Sequence, residues 1–326
     1  MSRLRRSLPL LAATVALASG CQLLGMNSNS PSDFTGSFRQ LVARGGATDV
    51  HSHGWGLAFY DGGHLRAVHD PEAASYSPVA ESVASSPIRT RNMISHIRYA
   101  TEGSVCLENV HPFQRELWGI QFFFAHNGDV PQFKGGGRKR PVAWGVGQSS
   151  SAVAPSYYPV GDTDSEALFC ALLNSLKASY DALPPPAVLH THIESFCREV
   201  VSADCDGSDG DRDCGGPILN FLLGCGQHVQ FVYSWPGRRS RSSVWNGLYY
   251  AVKEVGKDMH VALIATSPIR CGEHEIGVND WREMDRGELL MFAAGKAWGH
   301  GLLPDVVQRL SLYEDTEWYN LFGQIL

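Results

Sequence analysis

The sequence contains no Cys-x-x-Cys pair, no long run of lysines and arginines and, after residue 20, no apolar run long enough to span a bilayer. Without a Cys-x-x-Cys pair, a zinc site of the usual spacing is not expected. The 27 Lys and Arg residues are outnumbered by 33 Asp and Glu residues, and an acidic chain without a basic tract argues against nucleic acid as a partner. Eight cysteines in 326 residues do not make a disulfide scaffold. The 44% hydrophobic and 18% charged residues therefore indicate a globular protein with a full core.

The first 20 residues have the pattern of a targeting leader. Basic "MSRLRR" precedes apolar "LPLLAATVALA", and "ASG" places small residues directly before Cys21. We therefore divide the chain into a leader or propeptide-like segment, 1–20, and a single domain, 21–326, with an acidic insertion at about 198–217. Three roles are open for Cys21 at this point: a lipid attachment site, a buried core residue, or a nucleophile exposed when the leader is removed.

Strand patterns dominate both ends of the domain, and helical patterns lie between them. The predicted elements are a helix at 32–44 with Ser32 as N-cap, a hairpin at 55–70, strands at 92–101 and 120–128, a long loop at 134–160, helices at 162–180 and 184–201, a strand or helix at 217–224, and four strands between 228 and 295. Asn127-Gly128 is a turn signal after the second of these strands. Strands and helices do not alternate, so we predict an α+β fold of antiparallel sheets covered by helices.

Two metal-binding patterns are weak. "DVHSHG", residues 49–54, has the D-x-H-x-H spacing of metal-dependent amidohydrolases, but loop residues "ARGGAT" precede it where those enzymes have a buried strand. "DCDGSDGDRDCG" resembles a calcium-binding loop, but no frame places Gly at its sixth position and Glu at its twelfth. We therefore predict no metal and no cofactor, and keep a metal-dependent hydrolase using His51 and His53 as a lesser alternative.

A third chemistry uses Cys21 as a nucleophile. A cut before Cys21 would free its α-amine, and such an amine, with an ordinary pKa of about 8, can take the thiol proton. The Asn127 amide and the Gly128 N–H could stabilise one oxyanion. Arg98 follows an apolar strand and could pair with an α-carboxylate. Asp164 lies at a predicted helix start and could accept from an α-ammonium. Together these groups describe a site for an α-amino acid with a reactive side-chain carbonyl.

These residues lie in motifs that resemble those of the class II glutamine amidotransferases, which use an N-terminal cysteine. The matching segments are "CQLLGMNSNSP", "LVARGG", "HGWGLAFY", "SHIRYAT", "ENVHPF", "ELWG", "FAHNGDV", "GDTDSE", "ATSPI" and "RGELLMF". They run from Cys21 to about residue 295. The sequence is most similar to the stand-alone YafJ-like group, related to γ-glutamyl amidases of the ergothioneine pathway and to a glutathione-degrading Dug complex subunit. The resemblance implies an Ntn-hydrolase fold, a four-layer αββα sandwich of two antiparallel sheets.

The resemblance also implies a reaction. Cys21 would attack the side-chain amide of glutamine or of another γ-glutamyl compound, and water would hydrolyse the γ-glutamyl thioester. By motif match, the implied site residues are Arg98 and Asp164 on the glutamine α-groups with Thr101 nearby, Asn127 and Gly128 as oxyanion hole, and Gly54, Trp55, Gly56 and His111 as pocket lining. No ammonia-acceptor domain follows in the sequence, so an acceptor would be a separate partner.

The sequence departs from the family at its start. Members of this kind begin Met-Cys, whereas Gly20 precedes Cys21 here, so activity requires cleavage after Gly20 or a different start. "ASGC" also resembles a lipobox, and lipidation would consume the thiol. A lipid-anchored, inactive homologue is therefore the alternative, and a membrane is an expected partner only if Cys21 is lipidated. The leader favours a secretory or lipoprotein route and the family is mostly cytoplasmic, so the localisation stays open.

Overall fold

The computed structural model describes residues 20–100, 103–134, 155–202, 216–238 and 244–299. This part of the chain forms four α-helices and thirteen β-strands. The helices are α1 (Thr35–Arg44), α2 (Pro78–Ser85), α3 (Asp164–Ser179) and α4 (Pro186–Ser202). The strands are β1 (Gln22–Asp33), β2 (Trp55–Asp61), β3 (His64–Asp70), β4 (Arg89–Ile97), β5 (Phe113–Leu117), β6 (Ile120–Asp129), β7 (Ile218–Cys225), β8 (Val229–Trp235), β9 (Tyr249–Val255), β10 (Met259–Ala265), β11 (Arg282–Glu283), β12 (Glu288–Ala293) and β13 (Lys296–Trp298).

The strands form two sheets in which neighbours pair antiparallel. The first sheet has the order β11-β9-β10-β1-β4-β2-β3, and the second has the order β13-β12-β8-β7-β6-β5. The prediction of antiparallel sheets is confirmed. For the hairpins β2–β3, β5–β6, β7–β8, β9–β10 and β12–β13 it follows from their short connections, since a parallel pair would need a long crossover.

Three hydrophobic clusters show how the sheets and helices stack. Between the sheets, Ile94 and Ile264 of the first sheet share a cluster with Phe123 and Leu222 of the second. Helices α1 and α2 cover the other face of the first sheet, where Phe38 is buried. Helices α3 and α4 cover the other face of the second sheet. The four layers are therefore α, β, β and α, as the resemblance implied.

Strand β1 lies in the middle of the first sheet, between β4 and β10. Its register places Gln22 opposite Ile97 of β4 and Leu24 opposite Ala265 of β10. Because β1 and β4 are antiparallel, the start of β1 meets the end of β4. Cys21 therefore lies beside Arg98, the residue that follows β4.

The helix predicted at 32–44 begins later, at Thr35, with Phe34 as its N-cap residue. Ser32 does not cap it, because Ser32 is still paired with β4, opposite Thr90. The first turn is tied down instead by Asp33, whose carboxylate accepts the Thr35 backbone N–H at 2.8 Å. The predicted N-cap was therefore wrong, because strand pairing continues past the polar residues that resembled a cap.

Asn127-Gly128 is not a turn. Both residues belong to β6 and pair with Asn220 and Leu219 of β7. The strand ends only after Asp129. Asn and Gly are enriched in turns because of their local conformational freedom. Here, pairing with a neighbouring strand outweighs that local preference.

Several sequence predictions fall wholly or partly outside the described residues. These are the leader up to residue 19, Thr101, most of the loop at 134–160 and the centre of the acidic insertion, 203–215. The insertion predicted at about 198–217 starts too early, because residues 198–202 are the last turn of α4, with Val200 buried in the core. Within the described ranges, no helix has the length and apolar character needed to cross a membrane.

Candidate active site

A small pocket opens where the start of β1 meets the end of β4. Its lining comes from both sheets, from the start of α3 and from the loop before β5. The lining residues are Cys21, Arg98, Tyr99, Ala100, His111, His126, Gly128, Thr163, Asp164 and Ser165. Five of the residues that the sequence analysis singled out are therefore brought together here: Cys21, Arg98, His111, Gly128 and Asp164.

Cys21 is held by its neighbours on both its side chain and its backbone. Its thiol accepts the Tyr99 backbone N–H at 3.3 Å and lies 3.6 Å from the Tyr99 carbonyl oxygen. Its own carbonyl oxygen accepts from Asn127 Nδ2 at 2.7 Å. Only 7% of the residue is exposed. The sulfur thus lies at the pocket in a fixed position rather than at a frayed end of the chain.

Arg98 is placed by backbone pairing beyond the end of β4. Its N–H donates to the Gly54 carbonyl at 2.8 Å, and its carbonyl accepts from the His53 N–H at 3.1 Å. The guanidinium donates to the Ser104 carbonyl at 2.7 Å. Burial lowers the pKa of Arg98, but a guanidinium starts from so high a pKa that it stays charged. The pocket therefore contains a fixed positive charge beside the thiol.

Asp164 is the first residue of α3 and faces the pocket from the second sheet's side. One carboxylate oxygen accepts the Val130 N–H at 2.8 Å, and the other lies 3.3 Å from Ser165 Oγ. Thr163 caps the helix, since its side chain accepts the Glu166 N–H. Val130 directly follows β6, so these bonds fix the acid relative to the strand that carries Asn127 and Gly128.

Two buried histidines pack together at the pocket, where His111 is part of the lining. The rings of His96 and His111 are 4.2 Å apart, and their ring nitrogens have no hydrogen-bond partner among the described residues. Burial lowers the pKa of both histidines well below the ordinary value, so both rings are neutral near pH 7. His126, by contrast, has Nδ1 2.8 Å from Ser165 Oγ.

These histidines should make the fold sensitive to acid. A histidine whose pKa is depressed in the folded state gives stability that is complete above the unfolded pKa, about 6.5, and is lost as pH falls below it. Between about pH 7.5 and 5.5, we expect the unfolding free energy of His96→Phe to fall by about 1 kcal/mol less than that of wild type, as measured by urea denaturation. His64→Phe, at an exposed hairpin position, is the control and should lose as much as wild type. Equal losses in His96→Phe would contradict the prediction.

The "HGWG" residues do not line the pocket in the way the resemblance implied. Trp55 is fully buried and packs against Phe38, 5.7 Å between ring centroids, on the opposite face of the sheet. Gly54 has a φ of +103° and accepts the Arg98 N–H. Gly56 lies against the His111 carbonyl oxygen, which a Cβ at this position would overlap. Gly54 and Gly56 therefore support Arg98 and His111 respectively. Thr101 lies outside the described residues.

Gly56 gives a stability prediction. Gly56→Ala would force the β2 backbone away from His111, and overpacking of this kind costs about 1–3 kcal/mol. We expect a lower melting temperature in calorimetry. Gly63→Ala, in the β2–β3 turn where nothing lies within 4 Å of an added Cβ, is the matched control and should stay within about 1 kcal/mol of wild type. A Gly56→Ala protein as stable as the control would show that the backbone relaxes freely here.

Sequence reasoning did not place two groups next to Cys21: His51, which it considered only as a metal ligand, and Asn246. His51 contacts the Gly20 carbonyl oxygen through Nε2, and its Nδ1 lies 3.2 Å from Asp49 Oδ2. Asn246, in the connection between β8 and β9, lies so close to Gly20 that a Cβ there would overlap its Oδ1. Nothing in the local sequence around Asn246 indicates this placement, because it depends on the register of the second sheet.

His51 and His53, the two histidines of the D-x-H-x-H pattern, contact separate partners. His51 contacts Gly20 and Asp49, whereas His53 accepts the Ala100 N–H at 2.8 Å through Nδ1. No group of three His, Cys, Asp or Glu side chains in the described ranges is arranged to hold a metal ion. The lesser alternative therefore gains no support from the geometry.

Comparisons with known proteins agree with this arrangement. The sequence profile "Glutamine amidotransferases class-II" matches residues 20–207. The chain is 34% identical over 286 residues to the candidate glutamine amidotransferase YafJ of Escherichia coli, covering 85% of this chain and 98% of that protein. It is 41% identical over 289 residues to a candidate glutamine amidotransferase of Haemophilus influenzae, covering 85% of each chain.

Solved structures show the same architecture. The crystal structure of a predicted glutamine amidotransferase from Pseudomonas aeruginosa has a TM-score of 0.56 and 30% identity, covering 86% of this chain and all of that one. The allosteric regulatory enzyme of purine biosynthesis has a TM-score of 0.52 and 17% identity, covering 86% of this chain and 49% of that one, and so shows the fold alone. The pocket, the fold and the similarity over most of the sequence agree: the chain belongs to the class II glutamine amidotransferases.

Proposed function

We propose that the protein hydrolyses glutamine or a related γ-glutamyl amide, with Cys21 as an N-terminal nucleophile. The observation that carries this proposal is the convergence of a thiol, a buried guanidinium and a helix-start carboxylate on one pocket. The two charged groups match the α-carboxylate and α-ammonium of glutamine, and the thiol is the one group in this set that can attack an amide carbon. The segment 1–20 is a leader that is removed, and 21–326 is one catalytic domain.

The first step is activation of the thiol. Once the Gly20–Cys21 peptide bond is cut, the Cys21 nitrogen becomes a basic amine instead of a peptide nitrogen. It takes the proton from the thiol, directly or through a water, and the thiolate attacks the side-chain amide carbon. The departing nitrogen takes a proton and leaves as ammonia or an amine. Water then attacks the γ-glutamyl thioester, which releases glutamate and restores the thiol.

The oxyanion is stabilised by Asn127 and Gly128. Asn127 Nδ2 already donates one hydrogen to the Cys21 carbonyl oxygen at 2.7 Å, and an amide nitrogen has a second hydrogen to offer. Gly128 lies in the pocket wall, where its backbone N–H adds a donor. Because both belong to a paired strand, these donors are fixed before the charge develops, which is what makes such groups effective.

The substrate's α-groups are bound by Arg98 and Asp164. A buried arginine can hold a carboxylate through two parallel hydrogen bonds, and the Arg98 side chain is already oriented by the Ser104 carbonyl. Asp164 supplies the acceptor for the α-ammonium. With a cation and an anion in one pocket, the site favours an α-amino acid. A partner subunit or a separate enzyme would use the ammonia that is released.

The alternative of a lipid on Cys21 is not favoured by its surroundings. The thiol is buried, and it contacts the Tyr99 backbone on two sides. An acyl-glycerol on this sulfur would have to pass through the pocket between Arg98 and Asp164, both charged groups with buried side chains.

A labelling experiment tests the proposed function. Purified protein is first checked by mass spectrometry of its N-terminal peptide, which separates cleaved, lipidated and uncleaved forms. Protein that begins at Cys21 is then treated with 6-diazo-5-oxo-norleucine, a glutamine-like electrophile. We expect time-dependent labelling of Cys21, slowed by glutamine, together with release of ammonia from glutamine. Protein with a proven Cys21 terminus that neither labels nor releases ammonia would overturn the proposal.

A further inference from the structure

The peptide unit that joins Gly20 to Cys21 is enclosed by three polar side chains, two of which, His51 and Asn246, lie outside the family motifs. His51 Nε2 contacts the Gly20 carbonyl oxygen. Asn246 Oδ1 lies against the Gly20 α-carbon, and Asn127 Oδ1 is 3.7 Å from the position that a Cβ there would occupy. All three side chains belong to residues that are at most 2% exposed. We call His51, Asn127 and Asn246 the amine cradle.

Two atoms of the amine cradle have unused hydrogen-bonding capacity. Asn127 Oδ1 and Asn246 Nδ2 are buried and have no partner among the described residues. Leaving a buried polar group without a partner is costly, so the unpaired acceptor Asn127 Oδ1 beside this peptide unit indicates a site built for a hydrogen-bond donor. The main chain of Asn246 is itself fixed, because it exchanges two hydrogen bonds with Gly237, at 2.9 and 3.0 Å.

We propose that the amine cradle is the seat of the free α-amine of Cys21, with His51 and Asn246 as positioning residues for the nucleophile. This inference rests on the proposed function, because the amine exists only after cleavage. The Cys21 nitrogen and the Gly20 oxygen are attached to the same carbonyl carbon, so the His51 ring and the Asn246 amide that now contact Gly20 are neighbours of that nitrogen. Two amide oxygens, from Asn127 and Asn246, can accept its hydrogens.

His51 changes its role on cleavage. The Gly20 oxygen can only accept, so Nε2 carries the hydrogen in the uncut chain. When Gly20 is gone, the hydrogen can move to Nδ1, which lies 3.2 Å from Asp49 Oδ2. Burial lowers the pKa of His51, so the ring is neutral, and Nε2 can then accept an N–H from the amine. The amine lone pair is thereby left to face the thiol.

The charged and titratable neighbours of the amine cradle are few. Asp49 and Arg44 act on His51 electrostatically, as does the buried His96. Tyr99 packs against the His51 ring at 5.8 Å, and Arg98 acts on Cys21 from the pocket side. None of these is altered by a substitution at Asn246. A change at Asn246 therefore reports on the amine with the rest of the charge distribution kept constant.

Paired substitutions of Asn246 test the inference through the pH profile of kcat/KM, whose acidic limb reports the base of the free enzyme. In protein that begins at Cys21, Asn246→Asp places an anion beside the ammonium, and we expect the acidic midpoint to rise by about one pH unit or more. Asn246→Leu removes an acceptor from the ammonium, so the midpoint should fall, with kcat lower by about tenfold. The exposed Asn279→Asp is the matched control and should keep the wild-type profile.

The outcomes separate the two proposals. Wild-type protein with a Cys21 terminus but no glutaminase activity would refute the proposed function. If wild-type protein is active and both Asn246 variants lose rate while their midpoints stay at the wild-type pH, the amine cradle is refuted and the proposed function is left intact. Opposite shifts in the two variants support it, because a merely structural role would not move the midpoint in two directions. His51→Gln, which can accept at one position but lacks the ring, should recover more activity than His51→Ala, and equal losses in the two would count against His51.

Discussion

Cys21→Ala is expected to lose at least about 10³-fold in the rate of glutamine hydrolysis, since removal of a covalent nucleophile leaves only binding and oxyanion stabilisation. The pocket that surrounds the thiol is built by β4, β6 and α3, and none of these depends on the sulfur for its packing. The variant should therefore fold with a near-wild-type melting temperature and still bind glutamine. Ammonia release and the melting temperature, measured on the same preparation, check the prediction.

Two controls make this result specific. Cys106→Ser changes the half-exposed thiol in the loop before β5 and should retain wild-type turnover. A chain that keeps Gly20 in front of Cys21 retains the sulfur but has a peptide nitrogen in place of the amine, and it should be as inactive as Cys21→Ala. If the form with Gly20 attached hydrolyses glutamine at the wild-type rate, the amine is not the base.

Arg98→Met is expected to lower kcat/KM for glutamine by about 10²- to 10³-fold, mostly through KM, since truncating one partner of a buried charge pair costs roughly 2–5 kcal/mol. The residue is only 3% exposed, so water cannot readily replace the guanidinium. Arg98→Lys restores the charge without the two-pronged geometry and should recover only part of the loss. Steady-state kinetics on the three proteins measure both effects.

The substrate itself supplies the control for Arg98. 4-Aminobutanamide has the side-chain amide of glutamine but lacks the α-carboxylate. Wild-type protein should strongly prefer glutamine over this amide, and Arg98→Met should lose most of the preference. Arg66→Met, at an exposed arginine on β3, should leave both rates unchanged. A preference that survives in Arg98→Met would mean that another group binds the α-carboxylate.

Several elements of this fold were predictable from local patterns. The hairpin of β2 and β3 has alternating residues around a glycine turn, and α3 and α4 have apolar positions at helical spacing. Strand β1 was not predicted, because its outer half, "NSNSPS", is polar. Those side chains hydrogen-bond to distant parts of the fold, such as Asn27 Nδ2 to the carbonyl oxygen of His228 in the β7–β8 turn of the second sheet, at 2.9 Å, and no local pattern reveals such partners.

The site residues likewise divide into those that local patterns reveal and those that they do not. Arg98, Asp164 and Gly128 were selected because each lies at the end of an element in a recognisable motif, and such ends meet at one edge of a sandwich. Trp55 was misplaced because a motif gives the position of a residue but not the face on which its side chain lies. Asn246 was not found at all, since its proximity to Cys21 depends on how the two sheets stack.

The central position of β1 has a consequence for protein synthesis. Leu24 is among the first residues of the domain to leave the ribosome, whereas its partner Ala265 in β10 is made about 240 residues later. At ordinary translation speeds this is a delay of roughly 10 to 50 s. Throughout that interval the first sheet lacks a complete β10, although Tyr99 and Asn127, which contact Cys21, are made well before that strand. Polypeptides that are cut short before β10 therefore carry Cys21 in an incomplete first sheet, and the proposed activity requires translation at least through β10.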